Sequence, residues 1–302
     1  MEKYNKIHWA KGLDITPETF IAADNYHIAE RSLLGRVFAS GLYGILPERK
    51  FNIRKKIVDY TLTIEVLECL AITPDGYVID IQSDTPLKKE VSLKEATGTE
   101  LYVILKVNPY STTLVDEKKL YVYPEYIFEF ERTEETIETG IPIFKIYYDN
   151  DDQCWEIVPD YIPPSTVLIS VDTLRKRYSD LRNALHPIIE KLPENNMIAM
   201  QVFLLQWEMD NYSLQESPQK LTLLLKKICW LLKLYLKSEK GIDDLPYVKK
   251  FMEERYNHND VEKALRLGFE CLTEIDKRID EKPKEVAPKP EEFEITINKI
   301  YD

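Results

Sequence analysis

Glycine is scarce in this chain, with nine among 302 residues. That leaves little room for the glycine-rich loops that cradle phosphate, and no Walker loop or dinucleotide fingerprint occurs. Histidine is rarer still: His8, His27, His186 and His258 lie far apart, without metal-ligand spacing. The four cysteines, Cys69, Cys154, Cys229 and Cys271, form no C-x-x-C pair, so neither a zinc site nor a disulfide framework has support. Isolated cysteines suit a reducing compartment, where the thiol acts as a small apolar side chain. Positive charge is short as well. The 40 Lys and Arg against 52 Asp and Glu give a net charge of −12, which argues against nucleic acid as a partner. The longest apolar run, Met197–Leu205, is interrupted by Gln201 and falls short of the ~20 residues that cross a bilayer. Met1–Lys11 is polar and charged rather than leader-like. No H-E-x-x-H or G-x-S-x-G motif is present. The expectation is a soluble, cytoplasmic, non-enzymatic chain, with no catalytic residues, no metal, no cofactor and no insertion into a membrane.

What the chain does have is apolar and aromatic content: 44% hydrophobic residues and 19 tyrosines. Residues from about Lys56 to Val171 carry strand patterns. Tyr60, Leu62, Ile64 and Val66 alternate with Thr61, Thr63 and Glu65, and Thr73-Pro74-Asp75-Gly76 has the chemistry of a hairpin turn. Tyr77, Ile79 and Ile81 resume the alternation. Leu101–Val107 is nearly all apolar, as in a strand covered on both faces. Tyr126, Phe128 and Phe130 alternate again, and Ile141–Tyr148 and Trp155–Val158 flank Asp149-Asn150-Asp151-Asp152. That acidic run lacks the glycine and distal glutamate of a calcium loop, so a solvated turn is expected. Short strands with turn signals predict a β-sandwich. A carbohydrate-binding face on its tyrosine-rich strands is an alternative.

Residues from about Asp172 to Ile279 carry helical patterns. Leu174, Tyr178, Leu181, Leu185, Ile188 and Leu192 are spaced 4, 3, 4, 3, 4. Leu221, Leu225, Ile228, Leu232 and Tyr235 repeat that spacing, as do Val261, Leu265, Gly268, Leu272, Ile275 and Ile279. Such seams suit either a bundle within one chain or a coiled coil between chains. Ser217-Pro218 starts the middle helix and Gly241 stops it, while His186-Pro187 is expected to kink or end the first. Upstream, Thr16-Pro17 starts a helix with Ala22, Tyr26, Ala29, Leu33 and Val37 on one face, fading near Ser40-Gly41. Downstream, Pro283, Pro288 and Pro290 mark an extended linker, followed by the alternation Phe293, Ile295, Ile297. These three residues are the candidate tail motif, an added strand for a partner or for the chain itself.

The segment from Ile7 to Phe20, with Asp24 and Tyr26, resembles the opening of the TssK family of type VI secretion baseplate subunits. The family pattern is V-x-W-x-E-G-M-x-L-x-P-Q-H-F-Q-x-x-D-x-Y. Trp9, Gly12, Pro17, Phe20, Asp24 and Tyr26 match in spacing; Lys11, Leu13, Glu18, Thr19 and Ile21 depart. Tyr43-Gly44-Ile45 is similar to the family's W-G-L. Pro74-Asp75-Gly76 matches its P-D-G hairpin, and Tyr161-Ile162-Pro163-Pro164 resembles its exit from the sandwich.

The resemblance implies an α+β chain, with a β-sandwich shoulder over residues 1–165 including the N-terminal helix. A helical bundle or coiled-coil neck over 166–281 and a linker with strand-like tail over 282–302 follow. It implies a homotrimer, a structural component that docks onto the wedge proteins TssF and TssG at the baseplate beneath the inner membrane. The architecture is similar to that of phage receptor-binding proteins, which keeps a phage-tail baseplate role as an alternative. The matched residues Trp9, Gly12, Pro17, Phe20, Asp24 and Tyr26 are the candidate interface. Leu174, Leu181, Leu185, Leu221, Leu225, Ile228 and Leu232 are the candidate trimer and neck packing. The resemblance reaches no head domain, so a divergent branch is expected in which the tail or another protein contacts the membrane complex.

Overall fold

The computed structural model describes residues 6–38, 42–114, 122–133 and 137–281. The expected tail motif, Phe293, Ile295 and Ile297, lies outside the described residues. The described chain is α+β. One long helix comes first, then nine strands in two antiparallel sheets, then five helices.

Helix α1 (Pro17–Phe38) starts where Thr16-Pro17 predicts. The Thr16 N–H donates to Thr19 Oγ1 at 3.0 Å, and the Thr19 hydroxyl returns a bond to the Thr16 carbonyl at 2.8 Å. Proline at the first helical position gives up only a bond that the helix could not make.

The first sheet is organised by β3 (Thr61–Ile72), which pairs with β1 (Gly44–Ile45), β2 (Asn52–Val58), β4 (Val78–Ile81) and β5 (Leu87–Ser92). Leu62, Ile64 and Val66 are buried as the alternation predicts, but Cys69 and Ala71 then take over the inward phase. The register slips between Asn52 and Ile53 opposite this stretch, and an irregularity of this kind shifts the side-chain alternation. Tyr60, read above as part of the strand, sits instead in the two-residue turn Asp59-Tyr60. Both residues have positive φ, 48° and 62°, as a tight hairpin with the twist of its strands requires.

The second sheet runs β7-β6-β8-β9, with β6 Glu100–Leu114, β7 Val122–Glu131, β8 Ile141–Asp149 and β9 Cys154–Ile157. Leu101 to Leu105 are all buried, so central β6 is covered on both faces, as its unbroken apolar run predicts. One continuous apolar core links the two sheets and runs on into the helices.

Helices α2 (Asp172–Glu190), α3 (Met197–Asp210), α4 (Pro218–Lys240), α5 (Pro246–Glu253) and α6 (Val261–Ile279) form a bundle. Ser217 Oγ caps α4 by accepting from the Lys220 N–H, and Gly241 ends it with φ 66°. Helix α2 does not end at His186-Pro187 but runs on to Glu190. So close to the C-terminus the proline removes a single ladder bond, and buried Leu185 and Ile188 hold the last turns against the bundle.

The helical seams are closed within one chain. Leu174, Leu181, Leu185, Leu221, Leu225, Ile228 and Leu232 are all essentially inaccessible. They are packing residues of the bundle, one of the two arrangements that their spacing allows. Gly268 lets α5 and α4 close on α6: a Cβ there would lie 3.3 Å from the Phe251 ring of α5 and 3.5 Å from Leu225 of α4. Polar ties lock the outside of the bundle. Arg177 forks onto Glu262 at 2.7 and 3.3 Å, and Lys191 Nζ reaches Asp276 and Asp280 at 2.9 and 2.7 Å.

Candidate functional site

The matched N-terminal residues form an arm laid against the start of α1. Leu13 N–H donates to the Ala10 carbonyl, closing a turn in which Gly12 takes φ 95°. Nothing lies within 4 Å of where a Gly12 Cβ would stand, so the residue serves backbone conformation rather than close packing. The turn brings Trp9 back to Phe20 in the first turn of α1, with ring centroids 6.4 Å apart. Both stay open to solvent, Trp9 at 53% and Phe20 at 57%. They are therefore not core residues of this chain. Leu13, Ile15 and Ile21 in the same stretch of chain are exposed as well. Asp24 is exposed; Tyr26 is half-buried, its ring edge-on to His27. Glu18 beside them has its carboxyl pKa held below the usual value, chiefly by a hydrogen bond from the Thr16 side chain.

Along α1, Ser32 is the one described residue that is buried. The face Ala22, Tyr26, Ala29, Leu33, Val37 is only partly covered by this chain: Tyr26 and Ala29 are half-buried, and Ala22, Leu33 and Val37 are exposed. The helix meets the sheet at the β3–β4 turn. Ser32 Oγ donates to the Asp75 carbonyl at 2.6 Å, and the backbones of α1 and the β3–β4 turn touch directly. A Cβ on Gly76, whose φ is 87°, would stand 2.2 Å from the Ser32 oxygen, and one on Gly35 would stand 2.7 Å from the Gly76 oxygen.

A second junction joins Tyr43-Gly44-Ile45 to Tyr161-Ile162-Pro163-Pro164. Ile45 N–H donates to the Pro164 carbonyl at 2.8 Å, and Thr166 N–H donates to the Ile45 carbonyl at 3.0 Å. Gly44 (φ 114°) lies so near that a Cβ would be 2.2 Å from the Pro164 oxygen. The sequence fragments that carry the resemblance thus meet in pairs at backbone contacts.

Another exposed apolar surface escaped the sequence reading. Met197, Met200, Leu204 and Trp207 form one stripe on α3, with Leu204 and Trp207 each 68% exposed. Leu223 and Trp230 are exposed on α4, which packs against it. Helix α3 is apolar nearly all round, so periodicity could not mark which face is inner. Exposed Met197, Met200, Leu204 and Trp207 and buried Ala199, Val202 and Met209 share its 14 residues.

The acidic turn brings carboxylate oxygens of Asp149, Asp152 and Glu156 within 4.8 Å of one another. Asp149 Oδ1 accepts from the N–H groups of Asp151 and Asp152, and the Tyr147 hydroxyl donates to Glu156. These carboxylates shape the turn between β8 and β9. Among the described residues, no helix is long and apolar enough to cross a membrane.

No protein-family model and no curated protein sequence matches the chain. Solved structures do. A TssK crystal structure aligns over 94% of this chain and 71% of its own, with a TM-score of 0.61 and 13% identity. TssK from the type VI system of EAEC, bound to a nanobody, aligns over 85% of this chain and 68% of its own (TM-score 0.59, 14% identity). A chain of a cryo-electron-microscopy TssK–TssF–TssG baseplate subcomplex aligns over 91% of this chain and 100% of its own (TM-score 0.56, 14% identity).

Proposed function

We propose that this chain, which has a TssK-like fold, is a structural component of a type VI secretion baseplate. In this reading it is a non-enzymatic homotrimer with a shoulder (1–165) and a neck (166–281). It docks onto wedge proteins of the TssF and TssG kind in the cytoplasm, at the inner-membrane side of the baseplate. The observation that carries the reading is the arm. Of the six residues that match the family pattern in spacing, Trp9, Gly12, Pro17, Phe20, Asp24 and Tyr26, the aromatic pair Trp9 and Phe20 stands exposed at the start of α1. Large exposed aromatics are the usual anchors of protein interfaces.

The α3 stripe of Met197, Met200, Leu204 and Trp207 supports the homotrimer, because the inward seams are already filled by the chain itself. The tail motif Phe293, Ile295 and Ile297 is assigned a tethered role, adding a strand to a partner of the baseplate or membrane complex. The phage-tail alternative rests on the same architecture and differs only in partners. The glycan-binding alternative would rest on Tyr60, Tyr147 and Tyr148, which are exposed or half-buried, since Tyr102, Phe128, Trp155 and Tyr161 are buried.

Co-purification with the TssF–TssG pair tests the reading. The wild-type chain is retained, and Trp9→Ala, with unchanged thermal unfolding, is released. Retention of the variant at wild-type strength would remove the arm from the interface.

A further inference from the structure

A cavity of about 400 Å³ opens where the connection from β1 to β2, strand β8 and the start of α2 come together. Phe51, Ile53 and Ile143 give it apolar walls; Lys50, Lys55, Ser170 and the first residues of α2 give it polar ones. Small molecules bind in pockets of this size, where a few polar groups are set among apolar walls. Helix α2 begins here without a cap. Val171, at its N-cap position, has no side chain that can accept a hydrogen bond, and the N–H groups of Asp172, Thr173 and Leu174 have no acceptor among the described residues. These groups carry the positive end of the helix dipole, where an anion is stabilised.

Two side chains at the cavity lack the partners that burial demands. Ser170 is 5% exposed, and its hydroxyl is buried without a hydrogen-bond partner. Such a group is rare in a folded chain and calls for a partner from outside it. Lys55 is half-buried, with its ammonium 5.0 Å above the ring of buried Phe144. It has no carboxylate partner among the described residues, and burial pushes its pKa below the usual lysine value. Burying a cation costs free energy until an anion joins it. The other charges at the cavity are engaged. Arg49 pairs with Asp80, and Asp172 pairs with Arg175 at 2.8 Å and with Lys50 at 4.0 Å.

We propose that this cavity binds a small organic carboxylate. The carboxylate group lies between Lys55, the Ser170 hydroxyl and the N-terminus of α2, and the body of the molecule lies against Phe51, Ile53 and Ile143. The charges select the class. Among the described residues Lys55 is the one lining cation without a carboxylate partner, so one negative charge is matched and a second is not, which disfavours a phosphate dianion. The apolar walls favour a hydrocarbon body, which an inorganic ion lacks. The site is separate from the arm and from the α3 stripe, so its absence would leave the baseplate reading as it stands.

The test is an NMR titration of the backbone amides of the full chain with sodium benzoate, benzyl alcohol and inorganic phosphate, at constant pH and ionic strength. Benzoate shifts the Thr173 and Leu174 amides saturably and binds more tightly than either comparison compound. Lys55→Met weakens benzoate binding by about 10- to 150-fold, the loss of a charge-assisted hydrogen bond, and Ser170→Ala weakens it by about 2- to 10-fold. Lys56→Met, at an exposed neighbour on the opposite side of β2, leaves it unchanged. Unchanged affinity in Lys55→Met overturns the site, and so does benzyl alcohol binding as tightly as benzoate. Phosphate binding more tightly than benzoate overturns the carboxylate class. Should Lys55→Met not fold, the unaltered chain decides: Thr173 and Leu174 amides that do not respond saturably to benzoate overturn the site.

Discussion

Replacing Gly76 by alanine isolates the contact that holds α1. The residue has φ 87°, where a side chain costs about 1–3 kcal/mol in backbone strain alone. The new Cβ would also stand 2.2 Å from the Ser32 oxygen and 2.9 Å from Arg36 Cγ. The Arg36 side chain can move aside, but the Ser32 carbonyl belongs to the helix backbone, so the helix itself must lift. Lifting it breaks the Ser32–Asp75 hydrogen bond, which contributes about 0.5–1.5 kcal/mol. The strain burdens the turn whether or not the helix is docked, so the docked population falls by the lost hydrogen bond, about 2- to 13-fold, and further by the clash of the Cβ with the helix backbone. Ser32 is the one buried residue described along α1, and a free helix of this length is marginal in water. Hydrogen exchange read by mass spectrometry over residues 17–38 is the assay, with the exchange of β6 and α4 as internal reference. The helix should lose protection while the reference segments keep theirs, and Ser32→Ala should give the same pattern more weakly. Unchanged protection over 17–38 would refute the reasoning. So would a global collapse that includes β6, since the turn rather than the helix would then have yielded.

Two further substitutions separate the inner face of the bundle from its outer one. Leu225→Ala removes a fully buried side chain whose Cδ1 faces Gly268, 3.5 Å from where a Cβ there would stand; urea unfolding should show a loss of about 2–5 kcal/mol with an unchanged slope. Trp207→Glu, at a position 68% exposed, should leave the melting temperature of the single chain nearly unchanged, within about 0.5 kcal/mol, and lower the assembly mass seen by light scattering. A trimer that survives Trp207→Glu would mean that the α3 stripe serves another partner.

Much of the fold was legible because alternation and 3-4 spacing report burial directly. Leu62, Ile64 and Val66 read as inward, and so did the three helical seams. What was not legible has identifiable causes. Strand β5 is Leu-Lys-Lys-Glu-Val-Ser, an edge with almost no apolar face, so its pattern carries no strand signal. The Asp59-Tyr60 turn lacks the Asn-Gly or Asp-Gly chemistry expected at positive φ. It is held instead by long-range bonds, from Leu93 N–H to the Tyr60 carbonyl and from the Tyr60 hydroxyl to the Gln153 carbonyl. Spacing alone could not tell a seam within one chain from a seam between chains; Leu174 to Leu232 turned out to be filled from within. The contacts of His258 were invisible because its partners, Tyr43 and Tyr256, are a backbone oxygen 215 residues away and a side chain two residues away.

The fragments that carry the resemblance divide into two physical classes, and the division says which of them bear on partners. Gly44 and Gly76 sit where a Cβ would strike a backbone oxygen at 2.2 Å, and Pro17 sits where the helix begins. Such positions are dictated by the fold, so any chain that builds these junctions meets the same demand whatever it binds. Trp9 and Phe20 face no such demand. They touch each other, stay more than half exposed, and could be polar without cost to the packing of this chain. An exposed aromatic pair that the fold does not require exists for something outside it. For this reason Trp9→Ala, rather than any glycine substitution, separates the loss of a partner from the loss of structure. A chain that keeps its melting temperature and loses the wedge proteins would assign the arm to the interface. A chain that loses both would return Trp9 to the first class.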